Sequence, residues 1–166
     1  YVHIDRTDLT NDSRSDKTLT GNNWKAGLVF ALTPDTSFYG QLATSTDGVG
    51  GLISLSPGQQ QYDLASARQS EIGMKQLFWD QRGEFTLAAY RIVKKKLLTD
   101  DPSNPTLKQQ VGQQSSNGLE ASLDLQLPHA WQLQANAAIV KAKYDDFEEM
   151  LGGVPVSRNG NRPVDV

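Results

Sequence analysis

The chain has 166 residues and a net charge of −3, with 16 lysines and arginines against 19 aspartates and glutamates, which suits one domain and gives no indication of nucleic-acid binding. It contains no cysteine, which excludes a disulfide scaffold and a cysteine-ligated metal site. No apolar run approaches the roughly 20 residues of a membrane helix, and no signal peptide is visible at the N-terminus.

The first part of the chain predicts two strands separated by a polar loop. Residues 1–9 alternate loosely between apolar and polar side chains, and residues 10–22 are polar and rich in turn formers. From residue 24 to residue 32 the large apolar side chains recur at every second position, as in a strand that sends successive side chains to opposite faces. Thr-Pro-Asp-Thr at 33–36 then predicts a tight turn.

The middle of the chain continues this pattern with longer connections. A second alternating segment covers 38–43, and a connection rich in Gly, Ser and Gln follows at about 45–67. Strand character returns from residue 68, and Trp-Asp-Gln-Arg-Gly at 79–83 predicts another short turn. Residues 85–98 then predict a long strand, although the apolar side chains do not clearly favour one of its faces.

The last third contains the clearest pattern in the sequence. Residues 119–127 alternate strictly between apolar and polar side chains, and after a turn at 128–130 the alternation resumes at 131–137 and reaches about residue 144. Two alternating strands joined by so short a turn predict a β-hairpin. The polar segments at 99–111 and 145–166 are expected to be loops.

Short and long connections therefore alternate along the chain, with short turns near 33–36, 79–83 and 128–130 and long polar loops near 10–22, 46–67, 99–111 and 145–166. In an antiparallel meander this order puts every short turn at one edge, as outer-membrane β-barrels do. Strands of 9–11 residues also suit a membrane-spanning barrel. The alternation equally describes a sheet that buries one face, so a soluble β-sandwich or carbohydrate-binding module remains the alternative.

Four short motifs add a family resemblance. In order, they are Ser-Glu-Ile-Gly-Met-Lys at 70–75, Ala-Ala-Tyr-Arg-Ile at 88–92, Asn-Gly-Leu-Glu at 117–120 and Gly-Asn-Arg-Pro at 160–163. Their order and spacing resemble the barrel of TonB-dependent outer-membrane receptors, and siderophore receptors in particular. The resemblance covers nearly the whole chain.

The resemblance implies an all-β fold, an antiparallel up-and-down meander of about seven strands that is a slice of a 22-stranded outer-membrane barrel. Residues 1–166 are then part of a barrel domain, and the plug domain and the remaining strands are expected to lie outside the chain. The implied function is import of ferric siderophores, or a similar metal chelate, across the bacterial outer membrane. The implied partners are the TonB-ExbB-ExbD system, reached through the plug, the ferric siderophore, and outer-membrane lipid and lipopolysaccharide.

No arrangement of residues predicts catalysis or a resident cofactor. His3 and His129 stand alone in the sequence, and the serines have no recognisable partners for nucleophilic chemistry. The acidic stretch at 145–149 has oxygen ligands for a hard cation but lacks the ordered spacing of a calcium loop, so a solvated loop is expected. Substrate contacts are expected in the long loops, with Tyr62 and Phe147 as candidate ligand-binding aromatics.

Parity along the strands predicts which side chains face outward. If Tyr90 and Ile92 face lipid, Lys94 and Lys96 also point outward, and we expect these two lysines to contact lipopolysaccharide phosphates. The side chains expected to line the lumen are Lys25, Glu71, Lys75, Arg91, Glu120, Asp124, Gln132, Gln134 and Asn136. We expect this mixed-charge set to hydrogen-bond a plug or neighbouring strands rather than substrate.

Overall fold

A computed structural model describes residues 2–8, 13–47, 62–101, 104–151 and 154–163, and within them every regular element is a β-strand. No helix in these ranges is long and apolar enough to cross a membrane. The strands are β1 (Val2–Asp8), β2 (Ser13–Leu19), β3 (Trp24–Ala31), β4 (Thr36–Asp47), β5 (Ala65–Phe78), β6 (Gly83–Asp101), β7 (Asn104–Gln126), β8 (Gln132–Asp146), β9 (Glu148–Leu151) and β10 (Val154–Ser157).

Strands β3 to β8 form one six-stranded sheet in chain order, and every pairing is antiparallel. The pairs β1–β2 and β9–β10 are separate two-stranded sheets. The expected up-and-down meander is therefore confirmed, with six strands in the meander where the sequence indicated about seven. The apolar alternation at 119–125 suits the pairing of this part of β7, since β6 and β8 offer matching apolar positions on the same face.

The register divides the six-stranded sheet into two faces of different chemistry. Residues directly opposite each other point the same way, so the register connects Leu28, Gly40, Ile72, Ala89, Leu119 and Ile139 into one apolar row. What we call the apolar face carries this row and also Phe30, Phe38, Leu42, Met74, Leu87 and Leu123. What we call the polar face carries Lys25, Tyr39, Glu71, Lys75, Glu84, Tyr90, Glu120, Asp124, Gln134 and Asn136.

The apolar face is not buried against any described part of the chain. Leu28 is 76% exposed, Ile72 69% and Ile139 75%, whereas few apolar side chains are buried among the described residues: Leu19, Ala88, Ala142 and Phe147. A soluble sandwich hides such a face against a second sheet, which gives its side chains low exposure. The described residues form no such second layer, so the soluble alternative has no support.

Tight turns join the strands at one edge of the sheet, which we call the turn edge. Residues 32–35, 79–82 and 127–131 lie there, as the sequence predicts. In the last of these turns His129 and Ala130 have φ angles of 61° and 60°, in the left-handed region, and the N–H of Leu127 donates to the carbonyl of Trp131 at 2.8 Å. The opposite edge, which we call the loop edge, receives the connection between β4 and β5 and the extended hairpin of β6 and β7.

Several segments expected to be loops are strands. The expected loop at 99–111 contains the paired ends of β6 and β7, and the expected loops at 10–22 and 145–166 contain β2, β9 and β10. The prediction was wrong because these segments show no sustained alternation of apolar and polar side chains. The backbone hydrogen bonds that hold a hairpin together leave no pattern of side chains in the sequence.

Candidate functional site

The polar face carries a hydrogen-bonded cluster near its centre. The Tyr39 hydroxyl donates to Oε1 of Glu71 at 3.0 Å, and Nε2 of Gln69 donates to the other carboxylate oxygen of Glu71 at 2.9 Å. Tyr90 lies directly opposite Glu71 on the next strand. One carboxylate thus fixes the position of side chains from two neighbouring strands.

Two glycines make room for the tyrosine rings of this cluster. A Cβ atom placed on Gly73 would lie 2.5 Å from Cε1 of Tyr39, and one placed on Gly118 would lie 2.3 Å from Cζ of Tyr90. In each case the glycine is the direct cross-strand partner of the tyrosine. The rings therefore lie flat across the sheet, over backbone that only glycine leaves uncovered.

A shallow depression of about 430 Å³ lies beside the cluster on the same face. Its lining includes Tyr39, Glu71, Thr86, Glu120, Ser122 and Asn136, which offer carboxylate, amide and hydroxyl groups. Nearer the turn edge, Nζ of Lys75 lies 2.7 Å from Oε2 of Glu84. These groups suit hydrogen bonding to a polar protein surface, and no acid–base or nucleophile pair is formed among them.

The side chains predicted for the lumen lie on this polar face, with one exception. Arg91 is on the apolar face, opposite Ser70 and Asn117, so its prediction was wrong. The reason is the pairing of β6, whose own composition is ambiguous. Ala89 pairs with both Ile72 and Leu119, and these neighbours determine which side of β6 faces the apolar environment.

The pairing of β6 also contradicts the assumption behind the lysine prediction, which was that Tyr90 and Ile92 lie on the lipid-facing side. Tyr90 and Ile92 lie on the polar face, and Lys94 lies there with them, opposite Gln114. Lys96 has a φ angle of 57°, and its ammonium lies 2.7 Å from Oδ2 of Asp63. Contact of Lys94 and Lys96 with lipopolysaccharide stays a prediction, but the outward parity behind it is corrected.

The two aromatic candidates for ligand contact differ in their surroundings. Phe147 is only 9% exposed, and its ring centroid lies 4.9 Å from that of Tyr144. Its backbone N–H donates to Oδ1 of Asn159 at 2.8 Å, which joins the residue before β9 to the segment after β10. Tyr62 is half-buried just before β5. Their role in ligand binding stays a prediction.

The acidic stretch at 145–149, which begins at the end of β8, forms polar contacts of its own. Asp145 lies 3.3 Å from the ammonium of Lys143 and accepts a hydrogen bond from Gln113 at 3.2 Å. Burial acts to raise the pKa of the Asp145 carboxyl, but polar contacts with Ser115, Gln113 and Lys143 outweigh burial, so the pKa lies below its ordinary value. The described part of the chain contains no acidic or histidine cluster able to hold a metal ion.

Aromatic side chains mark both ends of the apolar face. Trp79 and Trp131 lie at the turn edge and are 58% and 71% exposed. Trp24 lies near the loop edge, in the cross-strand row of Arg68. Between the ends, the eight residue steps from Leu119 to Leu127 cover about 27 Å along the strand, or about 20 Å when tilted. An apolar band of this height between aromatic rings is typical of barrel strands in a membrane.

Comparison with known proteins gives the same architecture. The family model described as "TonB dependent receptor-like, beta-barrel" matches residues 1–166. The metal-pseudopaline receptor CntO of Pseudomonas aeruginosa is 28% identical over 142 residues, which cover 86% of this chain and 20% of that protein. The probable TonB-dependent siderophore receptor PiuA of Acinetobacter baumannii is 29% identical over 119 residues, which cover 68% of this chain and 16% of that protein.

Solved structures with the same fold belong to large receptors. The ferric-catecholate import receptor Fiu of Escherichia coli K12 superimposes with a TM-score of 0.63 at 24% identity, covering 84% of this chain and 21% of that one. The ferripyoverdine receptor of P. aeruginosa gives 0.58 at 20% identity, covering 87% and 19%. The chain thus spans about a fifth of the length of these proteins. It belongs to the β-barrel family of TonB-dependent receptors.

Proposed function

We propose that this chain forms part of the transmembrane barrel of a receptor that imports ferric siderophores, or a similar metal chelate, across the bacterial outer membrane. The observation that carries the proposal is the match of the barrel family to the whole chain, on a sheet whose exposed face is an apolar band. The names of CntO and PiuA, a metal-pseudopaline receptor and a probable siderophore receptor, support the substrate class.

In this proposal the two faces have separate tasks. The apolar face contacts lipid, and the loop edge faces the outside, because barrels of this kind place longer connections there. The polar face lines the interior of the barrel. There Glu71, Glu120 and the other polar side chains that line the depression form hydrogen bonds with a plug domain. Energy for import comes from the TonB-ExbB-ExbD system acting on that plug. Import proceeds without a catalysed reaction and without a resident cofactor.

Substrate contact is assigned to the loop edge. Tyr62 and Phe147 remain the proposed aromatic contacts, and for Phe147 the proposal requires the ring to leave its packing against Tyr144. Substitution of each by Ala in the full-length receptor is expected to weaken binding of the ferric siderophore. An unchanged dissociation constant, measured by fluorescence quenching in detergent, would remove that residue from the proposal.

The membrane placement is tested by labels on adjacent residues of β7. Leu123 and Asp124 lie next to each other and point to opposite faces. In the full-length receptor, reconstituted in lipid vesicles, a spin label at position 123 is expected to be relaxed by oxygen dissolved in the lipid. A label at position 124 is expected to respond to a water-soluble nickel complex instead. A position 123 label that responds to neither reagent indicates protein packing and overturns the barrel assignment.

The transport function needs its own test. A bacterial strain that lacks the full-length receptor is expected to lose uptake of one radiolabelled iron–siderophore or metal–chelate complex, and to regain it when the receptor is restored. The control is a receptor whose plug cannot engage TonB. Uptake that is unaffected by loss of the receptor for every chelate in a panel contradicts the proposed substrate class without affecting the membrane placement.

A further inference from the structure

The hairpin of β6 and β7 continues past its neighbouring strands at the loop edge. The pairing of β5 with β6 ends at Lys95, and the pairing of β7 with β8 ends at Gln113. Beyond these residues, in the described part of the chain, β6 and β7 pair only with each other, as far as Asp101 and Asn104. At about 3.4 Å per residue this part reaches roughly 20 Å past the sheet. We call residues 97–101 and 104–111 the outer hairpin.

The ladder between β6 and β7 is interrupted where the outer hairpin begins. The residues on either side are paired in register, but Lys96 and Gly112, which lie opposite each other, form no pair. Lys96 has a φ angle of 57°, which residues with a Cβ atom rarely adopt and strands do not contain. A Cβ atom on Gly112 would lie 2.6 Å from Oδ2 of Asp146, so only glycine fits there. A broken ladder and a left-handed residue at one level form a hinge.

Side chains connect the outer hairpin to a second segment at this hinge. Nε2 of Gln110 donates to the carbonyl oxygen of Lys96 at 2.9 Å and to the carbonyl oxygen of Asp63 at 2.8 Å. Nζ of Lys96 also lies 2.7 Å from Oδ2 of Asp63. Gln110 belongs to the outer hairpin, whereas Asp63 lies just before β5. We call Asp63, Lys96 and Gln110 the latch, since they join two segments that are far apart in the sequence.

The amide of Gln110 contributes more to the latch than the ion pair does. The side chains of Lys96 and Asp63 are 53% and 55% exposed, and an ion pair between exposed groups adds little stability in water. Each hydrogen bond from Gln110 shifts the equilibrium toward the held hairpin by about fivefold. The latch therefore depends mainly on the two backbone carbonyls that Gln110 binds.

The latch lies beside a residue that is proposed to contact the substrate. Tyr62 directly precedes Asp63 and is half-buried. A shift of the Tyr62 backbone on contact with a chelate therefore also moves the Asp63 carbonyl, which is one of the two acceptors of Gln110. Coupling between two places in a protein requires an element with two arrangements that both places influence. The outer hairpin, either held or released at its hinge, is such an element.

We propose that the latch couples Tyr62 to the outer hairpin, so that contact of the imported metal chelate with Tyr62 changes the position of the hairpin at the mouth of the barrel. Gln110 and Asp63 are positioning residues that do not touch the chelate. The hairpin moves as a unit about Lys96 and Gly112. This inference rests on the proposed function, because it requires the loop edge to face outside and Tyr62 to contact the chelate.

The latch itself is tested without any chelate, by hydrogen exchange of the outer-hairpin amides in the full-length receptor. Gln110→Leu removes both hydrogen bonds at similar size and is expected to speed exchange about 25-fold, at about fivefold per bond. Gln114→Leu is the matched control, because Gln114 is also half-buried but lies within the regular ladder of the same strand. The control, and Asp63→Asn, which keeps the Asp63 carbonyl, should change exchange by less than about twofold.

The coupling is tested with spin labels at positions 45 and 99. Ser45 lies in β4 within the sheet, and Thr99 lies in the outer hairpin, so the distance between the labels reports the position of the hairpin. The probes are the Fe³⁺ complexes of a tris-catecholate and of an aminopolycarboxylate. A probe that binds the wild-type receptor is expected to change the label distance. Gln110→Leu should bind that probe with nearly unchanged affinity but lose the change in distance, and Gln114→Leu should keep it.

Two substitutions of Lys96 examine the hinge. Lys96→Gly and Lys96→Val both remove the ion pair, but only valine opposes the left-handed backbone. The valine variant is expected to change the label distance without a probe, and the glycine variant to retain it. The heat-dependent shift of each variant on a detergent gel verifies folding.

The possible failures are distinguishable. A Gln110→Leu receptor whose outer hairpin exchanges as slowly as in the wild type overturns the latch. A wild-type receptor that binds a probe with no change in label distance overturns the coupling and leaves the proposed function intact. A receptor that binds neither probe, nor any other chelate of the uptake panel, overturns the proposed function and the coupling together.

Discussion

The two faces of the six-stranded sheet are stabilised in different ways. On the polar face, Tyr39, Gln69 and Glu71 form specific hydrogen bonds across strands, and Lys75 pairs with Glu84. On the apolar face, side chains such as Leu28 and Ile139 are three-quarters exposed and bind no specific partner in the described chain. The stability of the polar face therefore depends on contacts between individual side chains, whereas the stability of the apolar face depends on the medium that surrounds it.

The largest effect is expected from a charge in the middle of the apolar face. Leu123→Arg in the full-length receptor should lower the free energy of unfolding in lipid vesicles by about 2–4 kcal/mol, because the charged group must enter the hydrocarbon. The adjacent Ser122→Arg points to the polar face and should cost less than about 1 kcal/mol. Urea titration followed by tryptophan fluorescence measures both. Equal costs at the two positions would show that the faces do not differ in their surroundings.

Filling the space under a tyrosine ring should have the next largest effect. Gly118→Val adds atoms where Cζ of Tyr90 already lies within 2.3 Å of an ideal Cβ, so the ring must move, at a cost of about 1–3 kcal/mol. Gly40→Ala is the control on the other face, because its Cβ would meet nothing closer than 3.8 Å. The control should leave stability unchanged or raise it by up to about 1 kcal/mol.

The same pair of residues offers a check on the cause. When Tyr90 is replaced by Ala, the further change Gly118→Val should cost much less than it does with Tyr90 present. The difference between the two costs is the interaction energy of a double-mutant cycle. A Gly118→Val cost that is independent of Tyr90 would assign the effect to the backbone instead of to the ring.

A smaller effect is expected from a single hydrogen bond of the polar face. Tyr39→Phe removes the 3.0 Å bond to Glu71 and should lower the free energy of unfolding by about 1 kcal/mol. In combination with Glu71→Gln the loss should be less than the sum of the two single losses, because both changes remove the same interaction. Strict additivity, measured in urea, would contradict a direct contact in the folded receptor.

The smallest effect is expected from a substitution in the turn between β7 and β8. Ala130 has a φ angle of 60°, which costs a residue with a Cβ atom about 1 kcal/mol relative to glycine. Ala130→Gly should therefore raise the free energy of unfolding by about 0.5–1 kcal/mol. Ala135→Gly, within β8, should lower it by a similar amount. A loss of stability on Ala130→Gly would show that the turn is not left-handed at this position.

Strands β6 and β7 show how far sequence patterning reaches. In β7 the strict alternation at 119–127 predicts both the strand and the division of its side chains between two faces, and the structure confirms them. In β6 apolar residues occupy both odd and even positions, and so both faces of the strand. The alternation of β6 alone therefore predicted the face of Arg91 wrongly. The orientation came from Ile72 and Leu119 on the neighbouring strands, which no local pattern of β6 contains.

The functional residues show the same difference between what one strand predicts and what depends on its neighbours. The polar-face residues of β5 and β7 were predictable, because each strand has one apolar face that excludes them. The face on which Arg91 lies was not, because it is decided by the cross-strand pairing with Ser70 and Asn117. The tyrosine–glycine contacts were missed for the same reason, although a glycine inside an alternating strand is a signal of close approach.

The sequence by itself determined the alternating strands of the meander, the tight turns and the two-faced character of the sheet, because side chains alternate along any strand whatever its neighbours are. Only the tertiary structure decided which cations share the apolar face, that the polar segments beyond it are paired strands, and that Phe147 is buried. These features depend on which residue of one strand lies opposite which residue of the next. A shift of one residue in the pairing register moves every side chain of a strand to the opposite face, and the sequence of one strand does not determine that register.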